Sequence, residues 1–271
     1  MSDSLGHRPG KSEGEERVRK IIWSSGGGVQ SSAIAALILK GLLPRPDRAV
    51  IADTGRETQD TWDYLNNVVN PALAKINLTV ERLPVEDRAG SGHLPGLFSA
   101  SGQLLIPAYE VGLPKLSNFC SSYWKREVVK RWAIKEGLTP AINWVGISTD
   151  EMSRIATPRA KNWLLDYPLV YICPRSREGC INEIEQIGWP EAPKSSCWLC
   201  SNRRNPQWRH LRDHRPDEFA KACEEDERLR LVNPNLYLHE SLVPLAQADL
   251  GKEGDGAKQV TFGCNSGDCF V

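Results

Sequence analysis

The stretch that most constrains this chain is Ser24 to Ser32, read as SSGGGVQSS. An apolar run, Val18 to Trp23, leads into it, and an amphipathic run, Ser31 to Leu43, leads out. That order predicts a strand, a glycine turn and a helix. Gly26, Gly27 and Gly28 can adopt backbone angles closed to other residues, so an anion can approach the main-chain N–H groups. The helix start adds unpaired N–H donors and the positive end of its dipole. Ser24, Ser25, Ser31 and Ser32 add hydroxyls. The stretch reads as a seat for a polyphosphate or a sulfate-like anion. It is not a Walker A loop, because no lysine follows the glycines before Lys40. Nor does it carry the G-x-G-x-x-G spacing of a dinucleotide fold.

The chain has 271 residues, with 34 Lys plus Arg against 34 Asp plus Glu. This length suits one large domain, or one domain with an appendage. Zero net charge argues against a general nucleic-acid coat and leaves only a local basic patch for such contact. No apolar run approaches a membrane span, so no membrane association is expected. The polar N-terminus lacks the apolar core of a signal peptide. Eight cysteines without a secretory signal fit a cytoplasmic protein whose thiols serve metals or redox chemistry. The expected divisions are a disordered lead over 1–17, an α/β nucleotide-binding domain over 18–175, a helical region over 176–250 and a flexible tail over 251–271.

Further along, Ala49 to Ala52 reads as a strand ending in Asp53, Thr54 and Gly55, with a helix from Glu57 to Asn67 for which Asp53 is a candidate cap. Ile76 to Leu83 alternates as a strand does. Glu86 to Leu116, rich in Gly, Pro and Ser, reads as a long loop over the site. Cys120 stands where a helix opens, with Ser121 or Ser122 as its cap, a position that lowers a thiol pKa. Lys125 follows on that helix, as a phosphate contact or an ordinary solvated lysine. Ala141 to Ser148 is a further strand, followed by Asp150, Glu151 and Arg154. The acids suit a helix start; Arg154 suits a phosphate or sulfate. The Tyr167 to Trp189 stretch reads as strand, turn and a helix from near Ser176, with Cys173 and Cys180 as core.

Cys197-Trp-Leu-Cys200 is a soft-metal signal. Two ligand sets compete: Cys120 with Cys197 and Cys200 around an iron–sulfur cluster, or Cys197 and Cys200 with His210 and His214 around zinc. Arg203, Arg204, Arg209, Arg212 and Arg215, with Trp198 and Trp208, form the basic-aromatic patch that a nucleic acid could use, or else a salt-bridged helix face. Cys264 and Cys269 close a glycine-rich tail.

Four of these strings, in order, resemble the PP-loop of the adenine-nucleotide alpha-hydrolase superfamily, and most closely its phosphoadenosine phosphosulfate (PAPS) reductase-like branch: SSGGGVQSS, DTG with Thr58 and Thr61, C-x-x-x-x-K from Cys120 to Lys125, and G-I-S-x-D-E-x-S-R from Gly146 to Arg154. The resemblance implies a doubly wound parallel sheet with an added C-terminal helical region. It implies that Ser24, Ser25, Gly26, Gly27, Gly28, Gln30 and Ser31 hold phosphate, and that Asp53, Thr54, Gly55 and Gly146 frame the nucleotide. Lys125, Arg154 and Cys269 become catalytic candidates. Gln30 replaces the usual loop aspartate, as it does in the reductase branch, and this weakens the analogy with magnesium-holding loops, although magnesium stays a candidate. Where cluster-bearing reductases carry paired cysteines, this chain has Phe119 and Cys120. GDCFV at the end does not match the reductases' terminal cysteine string. The implied cofactors are ATP, or APS or PAPS, and a cluster of the 4Fe–4S type. Three functions follow: an ATP-pyrophosphatase-type sulfurtransferase, acting on a nucleic acid among other acceptors; a sulfonucleotide reductase; or a zinc-bearing nucleic-acid module. A sulfur or electron donor protein and a second copy of the chain are the expected partners.

Overall fold

The computed structural model describes residues 19–252, apart from 91, 94, 118 and 157–159. Cys264 and Cys269, and most of the expected lead and tail, lie outside the described residues. Among the described residues no helix is long and apolar enough to cross a membrane.

Five parallel strands form the frame: β1 (Lys20–Ser24), β2 (Arg48–Ala52), β3 (Val80–Leu83), β5 (Ala141–Val145) and β6 (Trp163–Asp166). Their spatial order is β3-β2-β1-β5-β6. The central strands β1, β2 and β5 are apolar and largely buried on both faces, as a parallel sheet requires, while the edge strands β3 and β6 are more open. Trp23, Ala49, Ile51, Val80 and Trp144 point to one face; Ile22, Val50, Ala52, Ala141 and Trp163 point to the other. Helices α1 (Val29–Leu39) and α6 (Arg177–Gln186) cover the first face. Helix α4 (Glu127–Lys135) covers the second with Val128, Val129 and Ala133. The fold is therefore a doubly wound α/β sheet. The chain leaves β1 towards β2 on one side and returns to β5 on the other. The loops after β1 and β5 consequently part at a topological switch point, where such folds bind ligands.

Helix α1 departs from its expected form. It starts at Val29 and is buried all round, from Val29 to Ile38, instead of amphipathic. It is sandwiched between the sheet and α6, and Ala33, Ala35 and Ala36 give it the slim profile this needs. The expected helix over Glu57–Asn67 is broken into α2 (Gln59–Tyr64), a π-helical turn (Leu65–Val69) and α3 (Asn70–Ala74). Thr58, not Asp53, precedes it. The apolar residues after Tyr167 form a short helix, α5 (Pro168–Tyr171), and not a strand, because Pro168 suits a first helical turn.

A second core lies beside the C-terminal edge of the sheet. It joins Leu97, Leu105, Ile106, Ala108 and Trp124 to Trp198, Leu199, Trp208, Leu211, Leu229, Leu236 and Leu245. Helices α7 (Asn205–His214) and α8 (Pro216–Val232) build it, and β4 (Tyr109–Glu110) pairs with β7 (Leu236–Tyr237) at its rim. The 86–116 stretch, expected as a long loop, contributes Leu97, Leu105, Ile106 and Ala108 to this core. Helix α6 lies in sequence within 176–250, but packs on α1.

Candidate active site

The glycine turn sits at the end of β1. Gly27 has φ of 73°, the left-handed region, and a Cβ there would stand 2.5 Å from Thr61 Cγ2. Gly28 caps α1 with extended angles. Its hydrogen faces Ser195: a Cβ would meet Ser195 Oγ at 2.7 Å and Ser195 N at 3.3 Å. The segment entering Cys197 therefore rests against the turn. The N–H of Gly26 donates to Ser31 Oγ (2.8 Å) and that of Gly27 to Ser25 Oγ (3.2 Å). Those hydroxyls occupy the donors that an anion would take. Ser24 instead joins two strands, its hydroxyl donating to Asn143 Oδ1 at 2.6 Å and so tying β1 to β5. Gly146 permits a close approach, but to α1: a Cβ would lie 3.3 Å from Gln30 Cβ and 3.4 Å from Ser31 N.

Gln30 is buried, and its amide donates to Glu151 Oε2 at 3.0 Å. Arg154 Nη1 pairs with Glu151 Oε1 at 2.8 Å. Glu151, expected only as a helix-start acid, is thus the hub between loop and Arg154. The DTG turn is braced in the same way. Asp53 accepts from Gly55 N at 2.7 Å and from Arg82 Nε at 2.8 Å, and Arg82 lies over the Trp62 ring, 4.0 Å from its centroid. The Asp53 carboxylate shapes its turn and is not a helix cap.

Thr54 and Glu57 lead from this turn to the cysteines. Thr54 Oγ1 lies 3.6 Å from Cys197 Sγ, and Glu57 Oε1 accepts from that thiol at 3.9 Å. Glu57 bridges Cys197 across the backbone, and Trp198 N donates to Arg56 O at 2.8 Å. Lys125 Nζ reaches Glu57 Oε1 at 2.6 Å, so this partly buried lysine is held beside the thiols. Burial works to lower the Lys125 pKa, but Glu57 and the thiols outweigh it and leave the pKa raised. Arg203 is buried under the C-x-x-C turn, donating to Cys197 O (3.2 Å) and Ser196 O (3.1 Å).

Cys120, Cys197 and Cys200 are drawn together closely enough to repel one another's charge. Burial pushes the Cys197 thiol up to about 12, with Glu57 adding to it. Cys120 is likewise raised, by burial and then by Cys197 and Cys200. The lowering expected for a helix start is reversed, because burial outweighs it and the helix already begins at Cys120 with Ser121 inside it. The six cysteines in the described residues are thiols, not disulfides.

Do these residues fit an iron–sulfur cluster? Among the described residues no three His, Cys, Asp or Glu side chains are placed to hold a metal ion. A cluster puts its cysteines on separate irons and so asks for wider spacing than one ion. The buried orphans give the positive test. Arg56 Nε and Nη1, Ser121 Oγ, Trp124 Nε1 and Ser196 Oγ have no hydrogen-bond partner among the described residues. Ser121 follows Cys120, Ser196 precedes Cys197, and Arg56 lies over Trp124, 4.9 Å from its ring centroid. Buried polar groups are normally satisfied, so this group, which also includes the acceptor Glu57 Oε2 but is mostly donors, marks a missing partner. Three thiols, the buried Arg56 and Arg203, the partly buried Lys125 and this donor group suit an anionic sulfide-bearing centre. The zinc set is not assembled: His210 Nε2 contacts Asp60 Oδ2 at 3.2 Å, and His214 stacks on His210 at 4.7 Å.

The basic-aromatic patch is also dismantled. Trp198, Trp208, Arg203 and Arg209 are buried, and Arg209 donates to Leu250 O. Arg215 is tied to Asp60 and Asp63, and Arg212 to Asp213. Arg203, Arg209 and Arg215 thus brace the packing around α7, while Arg212 pairs within the helix and stays exposed. Beside them lies a groove of about 1300 Å³, lined by Tyr64, Lys194, Arg203, Arg204, Gln207 and His210 among others. No motif pointed to this groove, because it is formed by α2 and the 191–211 segment, which are remote in sequence.

These features define a doubly wound α/β protein with a PP-loop-like glycine turn at the switch point and a thiol centre beside it. No family model matches the chain, and no curated protein matches its sequence. Among solved structures it is similar to a phosphoadenylyl-sulfate (PAPS) reductase from Candida auris in its phosphate complex, at 14% identity and a TM-score of 0.41, over 65% of this chain and 76% of that one.

Proposed function

We propose that the chain activates an acceptor with an adenine nucleotide and passes sulfur to it at the adjoining thiol centre. One observation carries this reading: Ser195 packs on Gly28 while Thr54 touches Cys197. The anion turn, the DTG turn and the C-x-x-C turn thus share one edge of the sheet. Had the glycine turn opened away from the cysteines, the reading would have failed.

The N–H groups of Gly26 to Gly28 and the start of α1 grip the outer phosphates, displacing the Ser25 and Ser31 hydroxyls, which then donate to the anion. Thr54 and Gly55 frame the adenosine. An acceptor oxygen attacks the α-phosphorus and pyrophosphate leaves; a sulfur nucleophile from a donor protein then attacks the activated carbon, and AMP departs with the oxygen. Cys120, Cys197 and Cys200 would hold a cluster, which supplies a Lewis-acidic site for the incoming sulfur. Lys125 and Arg203 offset the charge of the thiolates.

Gln30 favours a second reading. Its amide is committed to Glu151, so the loop presents no carboxylate to a magnesium–nucleotide complex. A sulfonucleotide reductase would need none: two electrons from a thiol donor protein convert APS or PAPS to sulfite and the free nucleotide. Incubating the anaerobically purified protein with ATP, APS and PAPS in parallel separates the two. Pyrophosphate release dependent on acceptor supports the first reading, and sulfite release the second. Neither product, from protein with iron bound, removes both. Cys197→Ser should lose the iron and whichever product is formed.

A further inference from the structure

Arg56 carries a consequence beyond nucleotide and cluster ligation. It is 3% exposed, deeper than most charged side chains ever lie. Its guanidinium rests over Trp124, and Nε and Nη1 find no acceptor among the described residues. An orphaned buried N–H on a cation costs more than a neutral one. A packing role on an indole would be served as well by a methionine, without that cost. The charges Arg56 senses are led by Glu225 and then Cys197, with Arg228 opposing and Cys120 following; the two cysteines lie on the two segments that meet at the centre. The other two cations here, the partly buried Lys125 and the buried Arg203, are each paired: Lys125 with Glu57, Arg203 with the Ser196 and Cys197 carbonyls.

We propose that Arg56 is a positioning residue for the thiol-held centre: its two orphaned N–H groups donate to the centre's sulfur, and its charge favours the reduced, more negative state. The inference rests on the cluster reading above. Hydrogen bonds and charge at the sulfurs are among the features that set a cluster's potential. Removing a desolvated cation from beside the centre should disfavour the added electron. Trp124 fixes the planar fork as a flexible lysine could not be fixed, so charge and geometry can be separated by substitution.

The test is the midpoint potential of the reconstituted full chain, titrated anaerobically with dithionite and followed by absorbance. Iron and sulfide counts and circular dichroism are taken for each protein. Arg56→Met should lower the reduction equilibrium at least tenfold, about 59 mV for one electron. Arg56→Lys, which keeps the charge, should restore most of that shift. Loss of iron from folded Arg56→Met with retention in Arg56→Lys supports the same role. A potential unmoved within twofold in an iron-replete, folded Arg56→Met overturns the assignment and leaves the cluster reading standing. Wild-type protein that takes up no iron overturns both. If Arg56→Met does not fold, Arg56→Gln, which removes the charge but keeps a polar side chain, decides: it should lower the equilibrium at least threefold, and an unmoved potential refutes the proposal.

Discussion

Gly27→Ala probes the turn on which the nucleotide site depends. Two separate penalties can be worked from the structure. The residue has φ of 73°, where a side chain costs about 1–2 kcal/mol. The new methyl would also stand 2.5 Å from Thr61 Cγ2 and 3.3 Å from Ile51 Cδ1, and such overpacking costs about 1–3 kcal/mol. The expected loss is therefore about 2–5 kcal/mol, read by urea denaturation with an unchanged slope. Thr61→Ser removes the offending Cγ2 and keeps the hydroxyl that lies 3.3 Å from Thr58 Oγ1. Alone it should cost about 1 kcal/mol for one buried methyl. Combined with Gly27→Ala it should recover the overpacking part and leave the backbone part. The cycle thus predicts a coupling of about 1–3 kcal/mol between two residues 34 positions apart in sequence. Strict additivity would refute the packing argument. A Gly27→Ala protein as stable as wild type would refute the assigned backbone geometry as well.

Two further outcomes follow from local features. Ser176 Oγ accepts from Gly179 N at the start of α6, so Ser176→Ala should cost about 1 kcal/mol in thermal or urea unfolding, and Ser176→Asp should restore most of it. At Asp60, burial acts to raise the pKa, but the hydrogen bonds and charges of Arg215 and His210 outweigh it and hold the carboxyl below its usual range. A depressed carboxyl contributes stability above its unfolded pKa and loses it as pH falls through the folded value, so the unfolded chain binds the extra proton. Acid unfolding followed below pH 4 should therefore be shallower in Asp60→Asn than in wild type. An identical acid limb in both would show that the Arg215 and His210 contacts do not persist in solution.

The strand-turn-helix order around Gly26 to Gly28 was legible because local rules fix it: an apolar run, residues free to take positive φ, then a helix. The parallel sheet was implied by the resemblance of four ordered strings to the PP-loop superfamily, and a helix from near Ser176 was legible from its local pattern. Periodicity did not show that α1 is buried on every side, since the second partner, α6, arrives some 140 residues later and is invisible to a local window. The same limit made Arg203, Arg209 and Arg215 look like one exposed basic face. Charge counts cannot tell a solvated arginine from one folded under a carbonyl. Arg56 shows the limit most clearly. Its neighbours in sequence are a DTG turn and a helix start, and nothing there signals burial. Only the second core, assembled from residues 97–124 and 198–250, sets an indole beneath it and brings Cys120 and Cys197 within its field. Residue order dictated the elements and the anion turn; the site's charge and solvent exclusion came from the long-range packing that closes one edge of the sheet.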